Sequence, residues 1–256
     1  MYWDWAQLTL LFLIMSRMSG FILFNPLFGR QSIPGIVKSG LIMLMSVMAY
    51  TMTTYTPAVP ESILELAVRL ILELAMGYLV GIVMNLFFYI PLLGGETIDI
   101  QMGMSMGRTY DPSSQTSTTV TASLLNVLMM LLFFAGNGYY TLLRIFMASG
   151  RIIPYGQVAF GTDTYEAVLE LFVTCTVMAI KLCMPILAAE LLGQVGMGIL
   201  MKVIPQINVF AINIELKVII GLTLLLFLMM PFSEYLLQAE NEMLLQIQRL
   251  LVGMTG

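Results

Sequence analysis

The chain has 256 residues, of which 59% are hydrophobic and 10% are charged, and its mean hydropathy is +0.92. This apolar share exceeds that of a soluble globular domain, so we expect an integral membrane or membrane-associated protein. The 11 basic and 15 acidic residues give a formal net charge of −4, which argues against the basic patch of a nucleic-acid-binding protein.

Taken in chain order, the apolar segments predict an all-α protein of about six long helices in hairpins, followed by a C-terminal amphipathic helix. The predicted helical segments are 8–28, 36–52, 62–90, 120–135 resuming at 139–148, 165–192, a return helix with the apolar run 218–230, and a last helix from Pro231. On that last helix we predict that Leu237, Leu244, Ile247 and Leu251 share one apolar face. The polar connection 150–164 marks the predicted boundary between parts 1–160 and 161–256. Gly193, Gly196 and Gly198 are expected to weaken the fifth segment where it ends.

Polar residues on the third helix recur at four-residue steps and form one stripe. The stripe consists of Glu61, Glu65, Arg69, Glu73, Gly77, Gly81, Asn85 and Tyr89. A solvated face is one interpretation, but a change from charge to glycine along the stripe favours contact with neighbouring helices or partner subunits. Other charges in apolar segments also need partners or water. They are Arg17, Glu170, Lys181, Glu215 and Lys217.

Between the third and fourth helices lies a segment, 94–115, that we predict to be a loop. Pro91 and the Gly94-Gly95 pair are expected to end the preceding helix, and the hydroxyl-rich run 114–119 offers caps for the next one. Between apolar helices, irregular backbone requires surrounding protein or water. Methionines alternate at 102, 104 and 106, where their flexible side chains could fill an irregular gap. With 23 methionines in the chain, ordinary packing is the alternative.

Short motifs along the whole chain resemble the FliR family of flagellar export-gate proteins, whose injectisome counterpart is SctT. They are Gln101-Met102-Gly103 with Asp111-Pro112, then Asn137-Gly138, then Pro205-Gln206-Ile207-Asn208-Val209-Phe210 followed by Lys217. Two departures stand out. The chain has Asn213-Ile214-Glu215-Leu216-Lys217 where that family usually has Gly-Phe-Pro-Leu-Lys, and Tyr139 where a histidine is common.

The resemblance implies a core subunit of the type III protein export gate, which forms and seals a pore for unfolded flagellar subunits. It implies FliP-like, FliQ-like and FlhB-like partner subunits. It also implies a FliP-like part at 1–160 and a FliQ-like hairpin at 161–256. The expected location is the bacterial cytoplasmic membrane at the flagellar basal body. Flagellar service is favoured over injectisome service. By the same resemblance, the loop holds a pore plug that includes Gln101, Met102, Gly103, Met104, Met106, Tyr110, Asp111 and Pro112.

Two other function classes compete with this interpretation. A secondary transporter of a small solute or ion would use the predicted helix breaks near Pro91 and Asn137 to line a site, with Arg69, Glu73 and Asp99 carrying ions. A membrane enzyme is less favoured, because the chain has no histidine, no phosphate-binding loop and no Cys-x-x-Cys pair. We therefore expect no catalytic site, metal or cofactor.

Overall fold

The computed structural model describes residues 5–55, 57–104, 108–111, 116–203 and 209–254. Within them the fold is all-α, as predicted, with eight helices and one short antiparallel hairpin. The helices are α1 Trp5–Leu23, α2 Gly35–Met52, α3 Ile63–Met102, α4 Val120–Ala135, α5 Gly138–Ile152, α6 Thr162–Val203, α7 Val209–Phe227 and α8 Met229–Gly253. The hairpin pairs β1 Arg108–Asp111 with β2 Thr116–Thr119.

Four of the described helices, α1, α2, α3 and α6, are long and apolar enough to cross a membrane. The number of spans rises to six if two bent pairs each count as one. The first pair is α4 with α5, bent by 68°, and the second is 213–227 with α8, bent by 62°. By length and composition, the chain therefore has the helices of a membrane protein.

The predicted end of the third helix was wrong. Instead of stopping at Pro91 or Gly94-Gly95, α3 continues to Met102, so residues 94–102 of the predicted loop are helical. The glycines are tolerated because neighbouring helices occupy the space of their missing side chains. A Cβ at Gly94 would lie 2.9 Å from Leu182 Cδ2, and one at Gly95 would collide with the backbone of Ala122. Such close packing offsets the low helix propensity of glycine.

Two further predicted boundaries need correction. α6 runs through its three late glycines to Val203, because each glycine costs only about 1 kcal/mol in a helix whereas a break leaves backbone groups unpaired in apolar surroundings. α8 begins at Met229, ahead of Pro231, and proline fits a first turn because amides there lack intrahelical partners.

The buried face of α8 is also partly different from the predicted one. Of the four residues predicted to share an apolar face, Ile247 and Leu251 are buried, but Leu237 is 36% exposed and Leu244 is only half-buried. Leu236 and Met243, each one residue earlier, are fully buried instead. The apolar sequence pattern is wide enough to allow either face, and tertiary packing selects between them.

The chain divides into two compact units. The first comprises residues 1–87, 137–172 and 241–256, and the second comprises 88–136 and 173–240. α3, α6 and α8 each contribute a segment to both units. The boundary predicted at residue 160 falls in the connection between α5 and α6, and the nature of the parts on either side stays a prediction.

Candidate functional site

The C-terminal end of α3 turns sharply at Gly103. Gly103 has a φ of +80°, its N–H donates to Ile100 O at 3.2 Å, and the N–H of Met104 donates to Asp99 O at 2.8 Å. These two bonds, with a left-handed glycine between them, form a Schellman motif. A side chain at such a φ costs about 1–2 kcal/mol, so glycine suits the point where the chain leaves the helix.

Beyond this turn the chain forms the β1–β2 hairpin and then enters α4. Arg108 lies opposite Thr119, and Asp111 lies opposite Thr116, so the strands leave and return side by side. Of the predicted plug residues, Tyr110 and Asp111 belong to β1, while Met106 and Pro112 lie outside the described residues. Outside the helices, the described part of the predicted loop therefore begins at Gly103 and includes the paired strand β1.

A buried carboxylate joins the two helices at the base of this hairpin. Asp99 is fully buried; its Oδ2 accepts a hydrogen bond from the Thr121 N–H at 2.8 Å, and its Oδ1 accepts one from Thr121 Oγ1 at 2.5 Å. Thr121 is in the first turn of α4, where a negative charge is favoured by the helix dipole. Thr119, the local N-cap residue, makes no side-chain cap bond. A side chain of α3 thus makes the capping bonds to Thr121 in the first turn of α4, whereas Thr119 itself makes none.

Met102 supplies a second contact at the base of the hairpin. It is the last residue of α3 and is fully buried, and its side chain lies against Gly221 of α7. A Cβ at Gly221 would stand 2.5 Å from Met102 Cγ, 2.6 Å from its Cε and 2.7 Å from its Sδ. Gln101 and Met104 are half-buried, and Gly103 is exposed. We call Asp99, Met102, Gly103, Thr121 and Gly221 the hairpin root.

The predicted polar stripe of α3 meets α1 within the first compact unit. A Cβ at Gly77 would collide with the carbonyl oxygen of Arg17, and one at Gly81 would lie 2.7 Å from the carbonyl oxygen of Phe24. Asn85 Nδ2 donates to that same Phe24 oxygen at 2.9 Å. The glycines therefore allow the two helices to approach closely.

Glu73, on the same stripe, is paired with Arg17 of α1, and both side chains are fully buried. Arg17 Nε lies 2.5 Å from Glu73 Oε2, and Arg17 Nη2 lies 3.0 Å from Oε1. This two-point geometry is the strongest form of an arginine–carboxylate pair.

The connection after α5 completes the surroundings of this pair. Arg17 Nη1 donates to Ile153 O at 3.1 Å and to Ser149 Oγ at 3.3 Å, while the Gly156 N–H donates to Glu73 Oε1 at 2.7 Å. The ring of Tyr155 lies 4.3 Å from Arg17 Cζ. Burial in this pocket raises the pKa of Tyr155. The ion pair therefore links α1, α3 and α5 through satisfied donors and acceptors.

The remaining charges chosen from the sequence are more accessible. Arg69 Nη2 pairs with Glu65 Oε1 at 2.5 Å, with side chains 23% and 37% exposed. Lys217 is half-buried. Three further charged residues are exposed, namely Glu170, Lys181 and Glu215. The structure does not gather them into a buried stripe, so their role as subunit contacts stays a prediction.

Residues 8–243 match the family described as Bacterial export proteins, family 1. The chain belongs to this family. It is similar to the flagellar biosynthetic protein FliR of Escherichia coli strain K12, with 27% identity over 250 residues and 94% coverage of both chains. It is also similar to FliR of Bacillus subtilis strain 168, with 23% identity over 219 residues, covering 84% of this chain and 83% of that one.

This bacterial export protein also contains two buried acids that sequence reasoning missed. Glu190 of α6 is 1% exposed and Glu240 of α8 is 5% exposed. Within the described part of the chain, neither Glu190 oxygen nor Glu240 Oε1 has a hydrogen-bond partner. Glu190 is a single acid among apolar residues, whereas Glu240 is followed by Asn241 and Glu242 and carries no such signal. The described residues of the export protein contain no cluster of three or more histidine, cysteine or acidic side chains that could hold a metal.

Proposed function

We propose that this chain is a gate subunit of the flagellar protein export apparatus, embedded in the bacterial cytoplasmic membrane at the flagellar basal body. Membership of a bacterial export family and similarity to flagellar biosynthetic proteins support this proposal. Its partners would be FliP-like, FliQ-like and FlhB-like subunits, and its cargo unfolded flagellar subunits. The reported relatives lend no support to the alternative of a small-solute transporter.

Within the gate, we assign the hairpin between α3 and α4 the role of the pore plug. The observation that carries this role is the hairpin root, where a buried carboxylate and a buried methionine hold the base of an otherwise short two-stranded segment. An isolated two-stranded hairpin is marginally stable by itself. A fixed base therefore lets a small and deformable segment occupy one position repeatedly after each opening.

Shortening the hairpin tests this role. Arg108 and Thr119 are direct partners across the two strands, so residues 109–118 can be replaced by an Asn-Gly turn, which suits a two-residue hairpin connection. The root residues remain unchanged. A control replaces the same ten residues with ten alternating glycines and serines, which keeps the length and removes the side chains.

The readout is potassium efflux from proteoliposomes that contain the gate co-expressed with its FliP-like and FliQ-like partners. We expect the shortened variant to leak while it still co-purifies with those partners, and the glycine–serine control to leak to a smaller degree. An assembled gate that holds potassium as tightly as the wild type after shortening would refute the plug role.

A further inference from the structure

Met102 and Gly221 form a contact that the gate function described above does not by itself require. Met102 immediately precedes the left-handed Gly103, so it lies at the point where the chain leaves α3. Three of its side-chain atoms lie 2.5–2.7 Å from the place that a Cβ at Gly221 would occupy. The side chain of Met102 thus fills the space that a side chain at position 221 would occupy.

Glycine is a poor helix former and costs α7 about 1 kcal/mol relative to alanine at this position. Position 221 is buried, and the atoms nearest to a Cβ there are all from Met102. A long, unbranched methionine side chain can fit closely against bare backbone and can also leave it without breaking a hydrogen bond. The contact is therefore close and reversible.

Asp99 anchors the same end of α3 to a different helix. Three residues before Met102, it binds the first turn of α4 through two hydrogen bonds from Thr121. These bonds are charge-assisted and buried, so they are stronger than an apolar contact. Of the two contacts at the root, the Met102 contact is the weaker one.

We infer that Gly221 is a positioning residue of the plug: it seats Met102 in the closed gate, and Met102 leaves this seat when the gate opens. The Asp99–Thr121 bonds remain as the pivot. This inference rests on the proposed function, because it gives a mechanism to the same hairpin. It assigns α7 the role of holding the plug closed.

The first test adds a methyl group at position 221, where the side chain of Met102 lies. We call this contact between Met102 and Gly221 the seat. Gly221→Ala should raise potassium efflux from the assembled gate about tenfold, because overpacking forces Met102 away. Gly196→Ala is the matched control, since no described atom outside its own neighbourhood lies within 4 Å of a Cβ at Gly196. The double variant Gly221→Ala with Met102→Ala should leak no more than Met102→Ala alone. Independent, additive effects in the double variant would overturn the seat.

The second test locks the seat. Met102 Cγ lies 2.5 Å from the Cβ position of Gly221, and a C–C bond adds about 1.5 Å, so the two Cβ atoms are within reach of a disulfide. Met102→Cys with Gly221→Cys is made in a background where the buried Cys175 and Cys183 are alanine. Two thiols then lose two electrons and two protons to an added oxidant, copper phenanthroline with oxygen, to give the disulfide.

With the disulfide formed, export of a flagellar substrate should fall at least tenfold, potassium efflux should stay at the wild-type level, and a reductant should restore export. Export that continues through the crosslinked gate would overturn the inference. The two proposals fail separately. If the gate with the shortened hairpin leaks but the Gly221→Ala gate does not, the plug role is supported and the positioning role of Gly221 is refuted. If neither gate leaks, the plug role itself is refuted.

Discussion

The buried ion pair of α1 and α3 gives a prediction whose magnitude follows from its surroundings. Glu73→Gln removes the negative charge but keeps the shape, leaving Arg17 charged in a pocket where both side chains are fully buried. An uncompensated buried charge costs about 3–5 kcal/mol. For a chain of this size, 1 kcal/mol corresponds to about 2–4 °C in Tm, so we expect the Tm of the variant to be lower by about 6–20 °C.

The chain provides a matched control on the same helix. Glu65 and Arg69 are separated by the same 2.5 Å as Arg17 and Glu73, but their side chains are 37% and 23% exposed. Exposed pairs contribute about 0–1 kcal/mol, so Glu65→Gln should lower the Tm by less than about 4 °C. Both variants are measured by thermal unfolding of the co-purified gate complex. Equal decreases in Tm for Glu73→Gln and Glu65→Gln would show that burial does not determine the cost of losing an ion pair here, and would refute this prediction.

Two glycine substitutions make further predictions. Gly103→Ala should destabilise the closed hairpin by about 1–2 kcal/mol, because its φ is +80°. Gly103→Asn should cost less, since asparagine tolerates this region; potassium efflux that is equal for both would argue against a conformational cause. Gly77→Ala should separate α1 from α3 and cost at least about 2 kcal/mol, because its Cβ would meet backbone atoms of Arg17 and Phe21. Its control, Gly40→Ala on α2, has open space and should not lower the Tm of the complex, because alanine is the better helix former.

Features with a local cause were predictable from the sequence. The break between α4 and α5 lies at Gly136-Asn137-Gly138 as predicted, and Asn137 there adopts a left-handed φ of 56°. Asparagine and glycine favour that conformation whatever surrounds them. The all-α class followed in the same way from composition and apolar periodicity. The four-residue stripe predicted a face of α3 in contact with protein, and part of it lies against α1.

Features whose cause lies far along the chain were not predictable. Asp99 caps a helix that begins 21 residues later, and nothing near Asp99 in the sequence distinguishes that role from an ion-carrying one. The flexibility of Met102 is visible in the sequence, but its contact with α7 involves Gly221, a residue that no motif marks. The partner of Arg17 is not predictable either, because no sequence spacing relates α1 to α3 and only packing selects Glu73.

Glycines show how a local cause and a distant cause can look alike in the sequence. At Gly103 and at 136–138 the residue ends or redirects a helix, whereas at Gly94, Gly95 and Gly221 it stays helical and admits a neighbour. In sequence both look like the same interruption. The difference is whether another helix fills the space of the missing side chain. Where it does, continuing the helix through the glycine buries more surface than breaking it. The predicted loop 94–115 contains both uses, with Gly94 and Gly95 inside α3 and Gly103 just after its end. Gly103, with its left-handed φ, follows the last residue of α3, and the side chain of that last residue, Met102, lies against Gly221 of α7.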